Sequence, residues 1–336
     1  MNPVLVEVTR GNLVESRHRG AIAVCDASGN LVAQWGDVEA AVFPRSAFKS
    51  LQALPLIESG AADAFQVTQE ELALACASHS GEPMHVERVT SWLERIGCVE
   101  PNLACGPHLP INEPAAHAML RAGERPCRVH NNCSGKHTGF LTVARHLGIA
   151  VEGYERPDHP VQILVRDAIA SLCDLKPGEM PIGIDGCAAP NYALPLSRLA
   201  RAMARLGDTA SLSPDRAKAA QRLAAAWRAH PLLVSGTGRA CADLMAATTG
   251  RTIVKTGAEG VFTAVLPDQG LGIALKIDDG ATRAAETVMA KLLALFGVAD
   301  DAAPSIAKHA HPPVRNWRGD IVGERRTTEA LVLLAN

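Results

Sequence analysis

Two residues that could perform nucleophilic catalysis stand three positions apart early in the chain. Ser46 is followed by Lys49 in the segment Pro44–Lys49, which we expect to open a helix, since proline suits the first helical position. This spacing places a hydroxyl and an amine on one helical face, and Pro55 is expected to bend or end the helix. Because a neutral lysine can take a serine's proton, the segment predicts acyl transfer. An ordinary helix start with a solvated lysine is the alternative.

A second lysine, Lys255, begins a Lys-Thr-Gly tripeptide on a predicted strand far downstream. A strand lysine beside a helix that bears Ser-x-x-Lys is the arrangement of serine acyl hydrolases of the penicillin-binding and β-lactamase type. The Ser-Asp-Asn tripeptide of such enzymes is absent from the sequence. Ser78, followed by His79 and Ser80, occupies a comparable place after an apolar helix. A simple helix C-terminal loop is the alternative interpretation of Ser78.

Two cysteines in glycine-containing loops could meet on a metal ion. Cys133 and Cys187 are such residues, and thiolates with an imidazole suit zinc, so spacing favours His137 as a further ligand. The Gly-Lys dipeptide before His137 does not make a phosphate-binding loop, because the first glycine of that motif would fall at His130. Two inert buried thiols remain an alternative.

The chain pattern predicts the elements that position these groups. Strands are expected over residues 3–36 and again over 252–277, with helices between them. Strands segregated from helices indicate an α+β fold with one antiparallel sheet from both chain ends and a helical middle. A capping box is expected at Thr68–Glu71, and residues 100–132 are expected to form a long irregular connection. Within one domain, 1–336, we expect a sheet subdomain of about 1–60 and 245–336 and a helical subdomain of about 61–244.

Composition excludes several classes of partner. The chain has 336 residues, a formal net charge of -2 and 47% hydrophobic residues, so nucleic acid is not an expected partner. No apolar run approaches a membrane span, and no signal peptide is recognised at the start. Nine scattered cysteines without an export signal favour free thiols, so a cytoplasmic location is expected. Cys25, Cys173 and Cys241 are expected in the core.

Five ordered segments together resemble one known family. They are similar to the Rhizobium etli-type L-asparaginases, the class 3 or asparaginase II group, and the resemblance spans nearly the whole chain. Several motifs in order are far more specific than any one of them. The segments are Pro44–Gln52, Cys76–Glu82, Asn131–Gly139, Gly183–Pro190 and Lys255–Gly260.

This resemblance implies a fold similar to serine β-lactamases and glutaminases, and a homodimer. It also implies zinc close to the substrate site, which tunes substrate binding and does not supply the nucleophile. It makes Lys136 a zinc ligand, where spacing had favoured His137. The implied groups are two Ser-Lys tandems, Ser46 with Lys49 and Ser78 with Lys255, and a zinc set of Cys133, Lys136 and Cys187.

The expected activity is hydrolysis of L-asparagine to L-aspartate and ammonia through an acyl-enzyme. Arg45 is a hypothetical partner of the substrate carboxylate, and Asp185 of its α-amine. Ser46 is favoured as the nucleophile because it shares a turn with Lys49, while Ser78 stays open as the competitor. Two other classes remain open: a serine acyl hydrolase acting on glutamine, a β-lactam or a peptide, and a non-catalytic metal-binding or ligand-binding protein.

Overall fold

The structure is a computed structural model that describes residues 1–331. In chain order, its strands are β1 Val4–Arg10, β2 Leu13–Asp26, β3 Leu31–Trp35, β4 Ala41–Val42, β5 Ile182–Ile184, β6 Pro190–Tyr192, β7 Leu194–Pro195, β8 Ile253–Thr256, β9 Val261–Leu266, β10 Leu271–Ile277, β11 Pro313–Arg315 and β12 Ile321–Thr327. Its helices are α1 Lys49–Glu58, α2 Ala61–Ala64, α3 Gln69–Ala75, α4 Pro83–Arg95, α5 Glu113–Arg121, α6 Ser134–His146, α7 Pro160–Cys173, α8 Leu196–Gly207, α9 Pro214–Ala229, α10 Pro231–Val234, α11 Ala240–Ala247, α12 Thr282–Leu295 and α13 Pro304–Ala310.

The chain divides into two compact units, each described separately below. The sheet unit contains Met1–Ala47, Leu194–Ser211 and the described residues from Asp243 onward. The helical unit contains Phe48–Ala193 and Leu212–Ala242. None of the helices among residues 1–331 is long and apolar enough to cross a lipid bilayer.

The sheet unit is built on an antiparallel sheet formed by both ends of the chain. Its strand order is β11-β12-β1-β2-β10-β9-β8, and β3 pairs with β2 off this path. β2 pairs with β10 from Gly20 opposite Ile277 to Asp26 opposite Leu271, which joins the N-terminal and C-terminal strands. Every residue of β8 and β9 is buried, as expected when both faces of a sheet are covered. Helices α8 and α12 both pack against this central part of the sheet.

The helical unit is organised around α1 and α6. In α1, all residues from Lys49 to Ile57 are buried, and in α6 the same holds from Ser134 to Ala144. A helix that is buried on all sides lies inside a larger assembly of helices. Here α1 contacts α6, α7 and α9, and α6 also contacts α3 and α4. Polar side chains on these two helices are therefore placed in the interior of the unit.

The predicted α+β class, with one antiparallel sheet from both chain ends, is confirmed. The capping box is present, since Thr68 N donates to Glu71 and Glu71 N donates to Thr68 Oγ1. The three cysteines expected in the core are at most 1% exposed: Cys25, Cys173 and Cys241. The predicted sheet subdomain reaches residue 336, and its residues 332–336 lie outside the described residues.

Three local predictions differ from the structure in whole or in part. At Pro55, where the helix was expected to bend or end, the helix does not end, because α1 continues to Glu58 with the proline inside it. Residues 100–132 are not wholly irregular, since α5 occupies Glu113–Arg121, with Asn112 capping it through Ala115 N. The glycine-containing segment that carries Cys187 is not only a loop, because β5 and β6 pair on either side of that residue. At Pro55, packing of α1 against α6, α7 and α9 outweighs the local signal of the proline.

Candidate active site

The turn that carries Ser46 belongs to a short 3-10 helix, Arg45–Phe48, directly before α1. Ser46 is half-exposed there. Arg45 has a φ of 54°, in the left-handed region that residues with a Cβ rarely adopt. Such strained backbone persists only where the surroundings enforce it, and it is concentrated at functional sites. The backbone next to Ser46 therefore has the character of a functional turn.

Within the sheet unit, the strand that carries Lys255 lies against this turn. Thr263 Oγ1 donates to Ala47 O at 2.8 Å and also approaches Lys255 O at 3.3 Å, so one hydroxyl bridges the two segments. Lys255 is fully buried, and its Nζ donates to Thr256 O at 2.8 Å. The sheet unit thus brings the residues around Ser46 and Lys255 together.

Gly257 makes this close approach possible. A Cβ at this position would lie 2.5 Å from Pro44 O and 3.2 Å from Ala47 N. We expect Gly257→Ala to lower the free energy of unfolding by about 1–3 kcal/mol, because the turn must move to admit the methyl group. Thermal denaturation of the variant checks this. Gly178→Ala is the matched control, since a Cβ there meets nothing within 4 Å. Equal melting temperatures for both variants would contradict this account of the turn.

In the helical unit, Lys49 is a fully buried amine at the start of α1. Its Nζ donates to Ala77 O at 2.5 Å and to Ser78 Oγ at 3.0 Å. The same amine lies 3.1 Å from Cys133 Sγ. Lys49 therefore connects a predicted nucleophile with a predicted metal ligand, although both are distant from it in the sequence.

The loop of Ser78 is held by hydrogen bonds from several directions. Ser78 N donates to Val234 O at 2.9 Å, and the residue is only 4% exposed. His79 follows, with Nδ1 accepting from Gly81 N and Nε2 at 2.9 Å from Ser134 Oγ. These partners require the neutral imidazole with its proton on Nε2. Burial lowers the pKa of His79 well below its usual value, which agrees with a neutral ring.

The predicted metal ligands also meet in the helical unit. Lys136 Nζ lies 3.1 Å from Cys187 Sγ. The side chains of Cys133, Lys136 and Cys187 are all buried. A hydrogen bond from Cys133 and the charge of Lys136 hold the pKa of the Cys187 thiol far below its usual value. Burial opposes the charged form of Lys136, yet the negative charges of Cys187, Cys133 and Asp185 together outweigh this and raise the amine's pKa. His137 directs Nδ1 to the Tyr154 hydroxyl at 2.6 Å, and its ring also interacts with Cys187.

The chemistry of this donor set fits zinc. Two thiols and an amine converge in a buried position, and zinc favours sulfur and nitrogen ligands. Among residues 1–331, no group of three His, Cys, Asp or Glu side chains is arranged to hold a metal ion. A zinc site here would consequently need the Lys136 amine as its third protein ligand.

Asp185 stands in the loop that also carries Cys187. Its Oδ1 accepts from Gly186 N at 2.7 Å, and its Oδ2 lies 3.4 Å from Asn191 Nδ2. The loop bends through Ala188, which has a φ of 70°. Asp185 contributes negative charge that favours the charged form of Lys136. Asp185, the candidate partner of the substrate α-amine, therefore places a carboxylate in the same loop as the Cys187 thiol.

The sequence matches the family described as L-asparaginase II over residues 6–327, nearly the full length of the chain. The chain belongs to the L-asparaginase II family. Family membership supports an L-asparaginase-type amidohydrolase that acts on a small molecule. No curated protein matches the chain.

Solved structures resemble this L-asparaginase II family member only distantly. A β-lactamase from Mycobacterium bovis has 15% identity and a TM-score of 0.42, over 79% of this chain and 89% of that one. A putative β-lactamase from Bacteroides dorei has 12% identity and a TM-score of 0.44, over 77% and 84%. The protein Mglu has 15% identity and a TM-score of 0.47, over 94% and 77%. The family assignment rests on the sequence match and not on these likenesses.

Sequence reasoning missed one residue at the Ser78 loop of this L-asparaginase II family member. Arg239 Nη1 donates to Ser78 O at 3.1 Å. The signal that could have found it is the segment Ser-Gly-Thr-Gly-Arg, residues 235–239, in which two glycines precede an arginine between two helices. Both glycines have positive φ, as expected for a loop of special shape.

Proposed function

We propose that this member of the L-asparaginase II family is a Rhizobium etli-type L-asparaginase, which hydrolyses L-asparagine to L-aspartate and ammonia through a Ser-Lys acyl-enzyme. The observation that carries the proposal is the contact of the buried Lys49 amine with Ser78 Oγ at 3.0 Å. A lysine buried against a serine hydroxyl can exchange protons with it, as the proton transfers of a Ser-Lys acyl transfer require. Family membership points to the side-chain amide of an amino acid as the substrate group.

In the proposed reaction, Ser46 Oγ attacks the side-chain amide carbon while Lys49 Nζ takes its proton. Ser46 is half-exposed and follows the strained Arg45, whereas Ser78 is 4% exposed and bonded to Lys49. An attacking atom must reach the substrate, so exposure favours Ser46. Backbone N–H groups near the serine hold the oxyanion, as in other acyl transfers. The amide nitrogen leaves with the proton as ammonia, and water then hydrolyses the β-aspartyl ester.

The other groups have supporting roles in the proposal. Ser78 passes protons to and from Lys49, with which it shares a hydrogen bond. Lys255 completes the second Ser-Lys tandem with Ser78. Asp185 binds the substrate α-ammonium group, and Arg45 is one candidate partner of the substrate carboxylate. The support for Asp185 is its place in the same loop as Cys187.

We further propose that Cys133, Lys136 and Cys187 hold zinc. The bound ion would supply positive charge that tunes substrate binding. The convergence of two thiols and an amine in a buried position supports this set. The proposal also includes a cytoplasmic homodimer. All nine cysteines, which lie within the described residues, carry free thiols, as is typical of a reducing compartment.

Removal of a thiol ligand gives a prediction for the metal. Cys187→Ser should lower zinc affinity by more than the ~10–100-fold typical of losing an outer-shell partner. Lys136→Met should also weaken binding, whereas His137→Gln should retain zinc. Metal content and competition with a chromophoric chelator measure both effects. Cys127→Ser, at a half-buried thiol near His130, is the control. Zinc bound equally by Cys187→Ser and wild type would contradict the ligand set.

The experiment that tests the function is release of ammonia from L-asparagine and from L-glutamine, with and without a zinc chelator. The expected result is release from asparagine, with a chelator effect on the Michaelis constant greater than on the turnover number. Preference for glutamine would assign a different substrate to the same acyl chemistry. No ammonia from either compound, by a folded and zinc-loaded protein, would overturn the proposal.

A further inference from the structure

Arg239 lies in a loop that is built against Ser78. The segment that ends in this arginine holds Ser78 from both sides: Val234 O accepts from Ser78 N at 2.9 Å, and Arg239 Nη1 donates to Ser78 O at 3.1 Å. Gly236 lies between them with a φ of 118°, and a Cβ there would clash with the Ser80 hydroxyl. Only glycine permits this close approach. The position of Arg239 beside Ser78 therefore depends on the glycine at residue 236.

The carboxylate nearest to this loop is already engaged by other groups. Glu82 accepts from Ser80 Oγ at 2.5 Å, from Thr237 N at 2.9 Å and from Thr237 Oγ1 at 2.7 Å. Among residues 1–331, no carboxylate lies within ion-pair distance of Arg239. The guanidinium therefore uses one N–H group on a carbonyl oxygen and has no acidic partner within the part of the chain that the structure describes.

A half-buried guanidinium without an acidic partner favours a bound anion. An arginine has five N–H donors in a planar fork that matches a carboxylate with two parallel hydrogen bonds. Burial and the neighbouring cations keep His79 uncharged, with Arg239 among the groups that lower its pKa. Arg239 is half-buried, which leaves it partly accessible. The guanidinium is thus a permanent positive charge at the loop of a proposed catalytic residue.

We propose that Arg239 binds the α-carboxylate of the amino-acid substrate and so selects α-amino acids over uncharged amides. This inference rests on the proposed function and adds a substrate-binding residue to it. Arg45, the arginine first considered for this role, has a bonding partner in the structure. Arg239 retains N–H groups beyond the one donated to Ser78 O.

The test compares L-asparagine with L-asparaginol, in which a hydroxymethyl group replaces the carboxylate. Wild type should prefer asparagine by roughly 10–100-fold in kcat/KM, as expected for a charge-assisted hydrogen-bonded pair. In Arg239→Gln, kcat/KM for asparagine should fall by about that factor, mostly through KM, while the value for asparaginol stays within a few-fold. Arg239→Lys should retain part of the preference, since it keeps the charge and loses the fork.

Two matched variants complete the experiment. Arg121→Gln removes an exposed arginine from the same unit and should leave both substrates unaffected. Arg45→Gln should keep the preference for asparagine over asparaginol. Loss of that preference in Arg45→Gln alone would assign carboxylate binding to Arg45. If Arg239→Gln keeps the wild-type preference for asparagine over asparaginol, or loses kcat/KM equally for both, Arg239 does not bind the carboxylate. A wild-type protein without asparaginase activity would instead overturn the proposed function, and this inference with it.

Discussion

Lys49→Met should abolish most amide hydrolysis, with a fall in kcat of about 10²–10⁴-fold, the range for loss of a general base. The amine is fully buried and bonds both Ala77 O and Ser78 Oγ, so the substitution removes the amine that the Ser78 hydroxyl contacts. Methionine has a similar length and keeps most of the buried side-chain volume while it removes the amine. The loss should therefore appear in turnover more than in the Michaelis constant. Steady-state ammonia release, together with the melting temperature, measures the effect.

The matched control is Lys218→Met, at an exposed lysine of α9 in the same unit, which should retain full activity. Rescue gives a second readout: small primary amines should restore part of the turnover of Lys49→Ala, in proportion to their basicity. Activity within tenfold of wild type in a folded Lys49→Met enzyme would exclude Lys49 as the base. A parallel Lys255→Met variant measures how much Lys255, the lysine of the second Ser-Lys tandem, contributes to turnover.

Ser46→Ala should show the largest loss of any single substitution, roughly 10⁴–10⁶-fold in kcat, as for other enzymes that lose their nucleophile. Ser46 is half-exposed at a turn whose preceding residue has a left-handed backbone, whereas Ser78 is almost fully buried. Rapid acid quench of wild type with asparagine, followed by intact-mass analysis, should reveal an aspartyl ester. Peptide mapping should place that ester on Ser46.

The two serines are then compared directly. Ser78→Ala should slow turnover, since Lys49 loses a hydroxyl partner, but should still form the ester. Ser46→Ala should form none. If Ser46→Ala still accumulates the aspartyl ester, Ser78 is the nucleophile, and the greater exposure of Ser46 does not identify the attacking serine. Ser50→Ala removes a buried α1 hydroxyl that has no hydrogen-bond partner among the described residues, and it is the control for loss of a hydroxyl.

The predicted elements that agree with the structure are those encoded by short-range rules. The strands expected over residues 3–36 are present, with β2 paired to β3, and the Thr68–Glu71 capping box marked the start of α3. Helix α5 was missed because the Pro/Gly/Asn-rich composition around it resembles coil, and it buries only Met119. Pro55 was misinterpreted because it remains inside a helix that is packed against α6, α7 and α9.

Local chemistry in the sequence thus determined the types of functional group and most of the elements that carry them. Ser-x-x-Lys, Lys-Thr-Gly and the thiol motifs were recognisable because each lies within a few residues. Only the tertiary structure showed that Lys49 contacts Ser78 and Cys133, and that Arg239 reaches Ser78 O. Those contacts join distant segments, and their formation depends on how buried helices pack and on loop glycines, which no local pattern encodes.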